Sequence, residues 1–187
     1  MAHQQQIEFC VSVKNRHPEM FENKVVYDFG SLDINGNNRY LFTDCDYTGI
    51  DLVKGNNVDI VKKAHLYKPK KKADLCISCE MLEHDKHWEK SIKNMLSLLK
   101  SGGGLLITCA GEYMCKETGE IRGRAEHGTK RTETKSSPHT TDNYKNISVE
   151  KFEKAIGVKN FSSYSSAIHK GGKVGITIDF YFFGIKK

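Results

Sequence analysis

The chain reads as an α/β protein built on a mostly parallel sheet, and three observations carry that expectation. Short apolar runs at residues 25–27, 47–50, 74–78 and 105–109 are bounded by turn-forming residues, as buried strands are. Between the last two, Trp88, Ile92, Met95, Leu96 and Leu99 recur at helical spacing and give one apolar face to lay on a sheet. At the end of the chain Ile176, Ile178, Phe180 and Phe182 alternate after a His169-Lys170-Gly171-Gly172-Lys173 turn, the pattern of an antiparallel hairpin. A chain of 187 residues is most simply one domain, here residues 1–187, large enough to bury a real core.

Taken in order, residues 4–13 and the Lys14 that follows place Ile7, Cys10, Val11 and Lys14 at helical spacing, so residues 1–23 form an N-terminal helix and lead-in. Val25, Val26 and Tyr27 open the first strand and Asp28 ends it. Gly30 follows where the chain turns sharply and a ligand can approach its backbone, and Gly36 serves a second turn. A second strand delivers Asp51 about 20 residues after Gly30, the distance at which a strand-end carboxylate takes both ribose hydroxyls. Val58, Ile60 and Val61 mark a third strand within residues 57–63. Ser148 caps a short helix through Ile156, with Val149, Phe152, Ala155 and Ile156 facing inward.

The glycine-bearing turn with its acidic residues, together with residues 73–111, resembles the class I S-adenosylmethionine-dependent methyltransferases. Glu80-Met81-Leu82-Glu83-His84 is similar to that family's loop after strand four, and Lys100-Ser101-Gly102-Gly103-Gly104 to its helix-ending K-P-G-G. The family's G-x-G-x-G loop is only partly kept, since Leu32 replaces the second glycine and the third is displaced to Gly36. The resemblance implies a Rossmann-like three-layer sandwich with a seven-stranded sheet in the order 3-2-1-4-5-7-6. It implies S-adenosylmethionine as cofactor, leaving as S-adenosylhomocysteine, held by Asp28, Gly30, Ser31, Asp51, Leu52, Ala64, His65, Cys79 and Glu80. Many relatives hold the adenine amino group with an acidic residue before the alanine; Lys63 stands there in this chain.

Residues 112–146 are polar and rich in Gly, Thr and Ser, too long for an idle connection, and they leave the fifth strand on the side where ligands bind in open α/β folds. They read as a substrate lid in which Arg122, Arg124, His127 and Tyr144 contact the acceptor, with Glu126 and Asp142 nearby. The two arginines are close enough in sequence to clamp an anion. Methyl transfer needs chiefly two reactants held in line. Where a base is required, His127 and His84 are the candidates, because imidazole titrates near neutrality.

The lysine run at residues 68–72 and a formal charge of +6 raise the question of nucleic acid. No aromatic residues interleave with the lysines as base stacking requires. Pro18, Pro69 and Pro138 provide neither the Asp/Asn-Pro-Pro-aromatic of amino-methylating DNA enzymes nor the Pro-Cys of cytosine C5 enzymes. The acceptor expected is a small molecule or sugar methylated on oxygen or nitrogen, with an RNA-directed enzyme or a catalytically silent cofactor-binding and interaction domain as alternatives. Six cysteines in a chain with no secretory segment read as free thiols of a cytoplasmic protein, and Cys76 and Cys79 fall on opposite faces of a strand. No metal site and no membrane association is expected.

Overall fold

β-Branched and aromatic residues open the central strand, β1 (Val25–Phe29), in a computed structural model of the chain that describes residues 4–126, 143–171 and 177–187. Ahead of it lies α1 (Gln4–Arg16). After it come β2 (Asp46–Asp51), β3 (Ile60–Val61), β4 (Ala73–Cys79), α2 (Trp88–Leu98) and β5 (Leu99–Ala110). A small antiparallel pair, β6 (Glu112–Met114) and β7 (Ile121–Gly123), precedes α3 (Val149–Ile156), β8 (Phe161–Gly171) and β9 (Thr177–Lys186). The main sheet has the order β3-β2-β1-β4-β5-β9-β8, which is the expected 3-2-1-4-5-7-6 once the small pair is set aside. Its first five strands are parallel; β9 runs antiparallel to β5 and to β8.

Strand alternation divides the core between two faces. Tyr27, Phe29, Cys76, Ile107, Phe180 and Phe182 pack under α2 and α3, which contribute Ile92, Met95, Phe152 and Ile156. Val26, Leu75, Ile77, Leu106 and Phe183 face the other way, under Cys10 and Val13 of α1 with Phe21 and Leu41. Cys76 and Cys79 therefore separate, the first into the α2 side and the second toward α1. All six cysteines are free.

Several local expectations are corrected. The buried face of α1 is Gln6, Cys10 and Val13, while Ile7 is exposed, because the helix meets the sheet along its i, i+4, i+7 row. The third strand shrinks to two residues. The glycines at 102–104 do not end α2; the helix stops at Leu98, and Gly102, at φ +77°, falls where the register between β4 and β5 shifts. Residues 112–146 contain the β6–β7 pair, turned by Gly119 at φ +71°. The Val174 and Ile176 end of the expected hairpin turn lies outside the described residues. α3 begins as expected, with the Ser148 hydroxyl accepting the Lys151 N–H at 3.2 Å, and ends on left-handed Gly157. Among the described residues no helix is long and apolar enough to cross a membrane.

The connection from β1 to β2 holds only a 3-10 turn, Arg39–Leu41, where a parallel pair usually takes an α-helix. Asp33, Asn35, Gly36, Asn37 and Asn38 favour turns over helix, and Asp33 knits them by accepting the Gly36 N–H at 2.8 Å and the Asn37 amide at 2.6 Å. The cleft at the carboxyl ends of the strands is thus walled by a side-chain-bonded loop.

Phe152 is fully buried, with ring centroids 4.7 and 4.9 Å from those of Phe180 and Phe182. Phe152→Ala should cost about 3–5 kcal/mol of unfolding free energy in urea titration, because α3 has no other aromatic anchor on the sheet.

Candidate active site

Four strand ends bring the site together. At the end of β1, Asp28 is buried and accepts the Tyr47 hydroxyl at 2.6 Å; burial above all raises its pKa to about 7, with the Asp51 charge adding to the rise. Gly30 turns the chain at φ +82°, with its N–H bonded to the Ile50 carbonyl at 2.8 Å. A Cβ here would stand 2.4 Å from Cβ of Met81, so the space that demands glycine is filled by the loop after β4. At the end of β2, Asp51 accepts the N–H of Leu32 and of Val53, each at 3.1 Å. Each carboxylate oxygen keeps lone-pair capacity for a further donor.

At the end of β4, Glu80 has left-handed backbone at φ 56°, an uncommon geometry for a residue other than glycine and one that surrounding structure must hold. Its N–H bonds the Thr108 carbonyl at 2.8 Å, its Oε1 accepts the Thr108 hydroxyl at 3.1 Å, and its Oε2 is ion-paired with Arg124 Nη1. The same guanidinium nitrogen reaches Asp179 Oδ1 of β9 at 3.1 Å. Asp28, Gly30, Ser31, Asn38, Cys79 and Glu80 line one narrow cleft, closed on one side by Gln6 of α1. α1 is held across the sheet by Phe9 stacked on Tyr181 at 4.7 Å and by Cys10 Sγ at 3.8 Å from Cys79 Sγ.

A family model described as a methyltransferase domain matches residues 8–147. The chain belongs to the class I S-adenosylmethionine-dependent methyltransferases. The fold agrees with solved methyltransferases of low identity. Haemonchus contortus phosphoethanolamine N-methyltransferase 2, solved with phosphomonomethylethanolamine and S-adenosylhomocysteine, aligns at TM-score 0.64 and 17% identity over 97% of this chain and 52% of its own. This chain thus spans about half the length of the Haemonchus protein. The N-terminal domain of EvdMO1, solved in the presence of S-adenosylhomocysteine and D-fucose, aligns at 0.64 and 10% identity, covering 100% of this chain and 85% of that one. Burkholderia thailandensis 1,6-didemethyltoxoflavin-N1-methyltransferase aligns at 0.60 and 12%, covering 98% and 88%. No curated protein matches the sequence.

Within this fold the residues expected from sequence are not all in one place. Asp51 joins the cleft through Leu32, and Leu52 beside it is largely exposed. Ala64 and His65 sit on a 3-10 turn against α2, where the Ala64 carbonyl accepts the Asn94 amide at 2.8 Å and the His65 ring meets His87 edge-on. Neither lines the cleft. The expected arginine clamp is corrected: Arg122 is half exposed and 3.6 Å from Glu120, whereas Arg124 is neutralised by two buried carboxylates. Arg122 lies within β7 opposite Tyr113, whereas Arg124 follows that strand and reaches the β9 carboxylate. Tyr144 lies with its ring 5.4 Å from that of His84, and its hydroxyl donates to the Ala125 carbonyl at 3.2 Å. His127 and Asp142 lie outside the described residues.

Sequence reasoning missed Asp179, Glu83 and Gln6. Asp179 stands in a strand whose neighbours are apolar or aromatic, and a lone carboxylate there was the available signal. Glu83 lies three residues after Glu80, is fully buried, and has its pKa pushed up to about 8 by burial first and the Glu80 charge second. Among the described residues no group of three or more His, Cys, Asp or Glu is arranged to hold a metal.

Removing Arg124 would take a cation away from two buried carboxylates, Glu80 and Asp179. Arg124→Met should therefore lower stability by about 3–5 kcal/mol in chemical denaturation at pH 7. Asp28 gives the opposite sign. Its folded pKa is raised, so its contribution is fully present below the unfolded value of 3.8 and is lost as pH rises to about 7. Asp28→Asn should be more stable than the parent at pH 8, by no more than about 4 kcal/mol, and no more stable at pH 3.5.

Proposed function

We propose that the cleft at the carboxyl ends of β1, β2 and β4 binds S-adenosylmethionine and that the protein transfers its methyl group to oxygen or nitrogen of a small molecule. The convergence of Asp28, Gly30, Ser31, Asp51 and Glu80 at one sheet edge, in a chain of this family, carries the reading. Asp51 offers its remaining lone pairs to the ribose, and Gly30 and Ser31 bring backbone close to the ligand. Asp28 and Glu80 face the cleft as acceptors for the cofactor's ammonium group. Two of the solved proteins similar in fold are named as N-methyltransferases, and a third was solved with a sugar, which supports a small acceptor.

The lysine run favours that reading over RNA. Lys71 is ion-paired with Asp46 at 2.9 Å, Lys68 bonds Asn94, and Lys72 bonds the Ser97 carbonyl, so these ammonium groups are engaged within the domain.

The protein positions the reactants: the acceptor heteroatom attacks the methyl carbon in line with the sulfur, the carbon–sulfur bond breaks, and its electron pair remains on sulfur. Calorimetry with S-adenosylhomocysteine tests the cofactor claim. Asp51→Ala should weaken binding by about 1.5–3 kcal/mol for each ribose hydrogen bond lost. Equal affinity in parent and variant would remove Asp51 from the cofactor site.

A further inference from the structure

Among the described residues three carboxylates and one guanidinium meet behind the cleft, and one of the carboxylates accepts no hydrogen bond. Glu80 and Asp179 share Arg124, whereas Glu83 is fully buried and neither of its carboxyl oxygens has a hydrogen-bond partner among the described residues. Leaving such a group unsatisfied costs about 1–3 kcal/mol, more if it is charged, so a protein keeps one where something else comes to meet it. Among the described residues Glu80 and Asp179 face the single cation Arg124, an excess of one negative charge to which Glu83 adds a second when it gives up its proton. Such a site repels an anionic acceptor and attracts a cationic one.

Resting on the methyltransferase reading above, we propose that this cluster is the acceptor subsite for an amine and that Glu83 takes the proton from its nitrogen. The described groups around Glu83 do not compete for that role. Arg124 is spent on Glu80 and Asp179. Burial raises the Cys109 thiol well above its usual range and the Tyr144 phenol above its own, so neither ionises near neutrality. His84 adjoins through its ring contact with Tyr144. In chemical terms R–NH3⁺ gives a proton to the Glu83 carboxylate and becomes R–NH2. The nitrogen lone pair then forms the new bond to the methyl carbon, the carbon–sulfur pair stays on sulfur, and R–NH2⁺–CH3 leaves as the cation. Since the empty carboxyl holds a proton at pH 7, binding an ammonium must expel roughly one proton, whichever partner keeps the other.

That release is the test. Protein saturated with S-adenosylhomocysteine is titrated with n-butylamine, n-butanol and butyrate at pH 7, in two buffers of different ionisation enthalpy. Butylamine should bind with release of roughly one proton, and butanol and butyrate should bind at least about tenfold more weakly. Glu83→Gln resembles the protonated acid in shape and charge, so it should keep S-adenosylhomocysteine affinity while losing the proton release and about tenfold in amine affinity. Equal binding of amine and alcohol to the parent protein overturns the proposal without any variant. Loss of S-adenosylhomocysteine affinity in Glu83→Gln with the amine response intact also overturns it, because the carboxyl would then serve the cofactor's own ammonium. A parent protein that fails to bind S-adenosylhomocysteine would instead refute the cofactor reading beneath it.

Discussion

The pairing of Arg124 with Glu80 and Asp179 is the constraint on which the ligand side of this molecule depends. It joins residues 44 and 55 positions apart in sequence, bringing the loop after β4, the chain leaving β7 and the start of β9 to one point. Taking three charges out of water is expensive, and such a network gives little net stability relative to an apolar core. What it provides is a unique arrangement. Glu80 is held at a left-handed backbone angle by Thr108 on one side and Arg124 on the other, so the carboxylate that walls the cleft has one position available to it.

The opposite wall achieves rigidity by other means. With no α-helix between β1 and β2, the loop from Gly30 to Asn38 lacks the regular backbone bonding that would fix it. Side chains replace that bonding: Asp33 ties the turn, Asp51 holds Leu32 and Val53, and the Asn57 amide donates to the Ser31 carbonyl at 2.8 Å. Asp51 thus serves the protein's own backbone before any ligand. Gly30 is likewise fixed by Met81, which interlocks the two loops that flank the cleft, so a change in either is felt in both.

The framework was legible because it rests on periodicity. The strand order, the helix before β5 and the closing hairpin all follow from apolar runs that alternate or recur every third or fourth residue. The site was legible only where chain-local chemistry fixes it, as at Gly30, whose turn needs positive φ, and at Asp51, which ends a strand. Arg124 was misplaced because its partners lie far off in sequence, and proximity to Arg122 suggested a pair where strand and sheet edge made none. α1 was found but turned to the wrong face, since Gln6 is buried beside Cys10, where it donates to the Asn38 side chain at 3.4 Å, and hydropathy alone assigns a glutamine to solvent.

Charge conservation through the reaction links the acid cluster to the chemistry. A sulfonium loses its positive charge as the methyl group departs, so a site rich in carboxylates would favour the reactants if that charge simply vanished. Methylation of an oxygen with loss of a proton has that outcome, since the product is neutral. Methylation of a neutral amine moves the charge from sulfur to nitrogen and keeps a cation beside Glu80, Asp179 and Glu83 throughout. The same carboxylates can then attract the acceptor, tolerate the transition state and hold the product only as firmly as they held the substrate. A buried acid whose pKa of about 8 lies just above neutrality, beside two carboxylates that share Arg124, fits that traffic better than it fits a hydroxyl acceptor, which brings no charge for the cluster to meet.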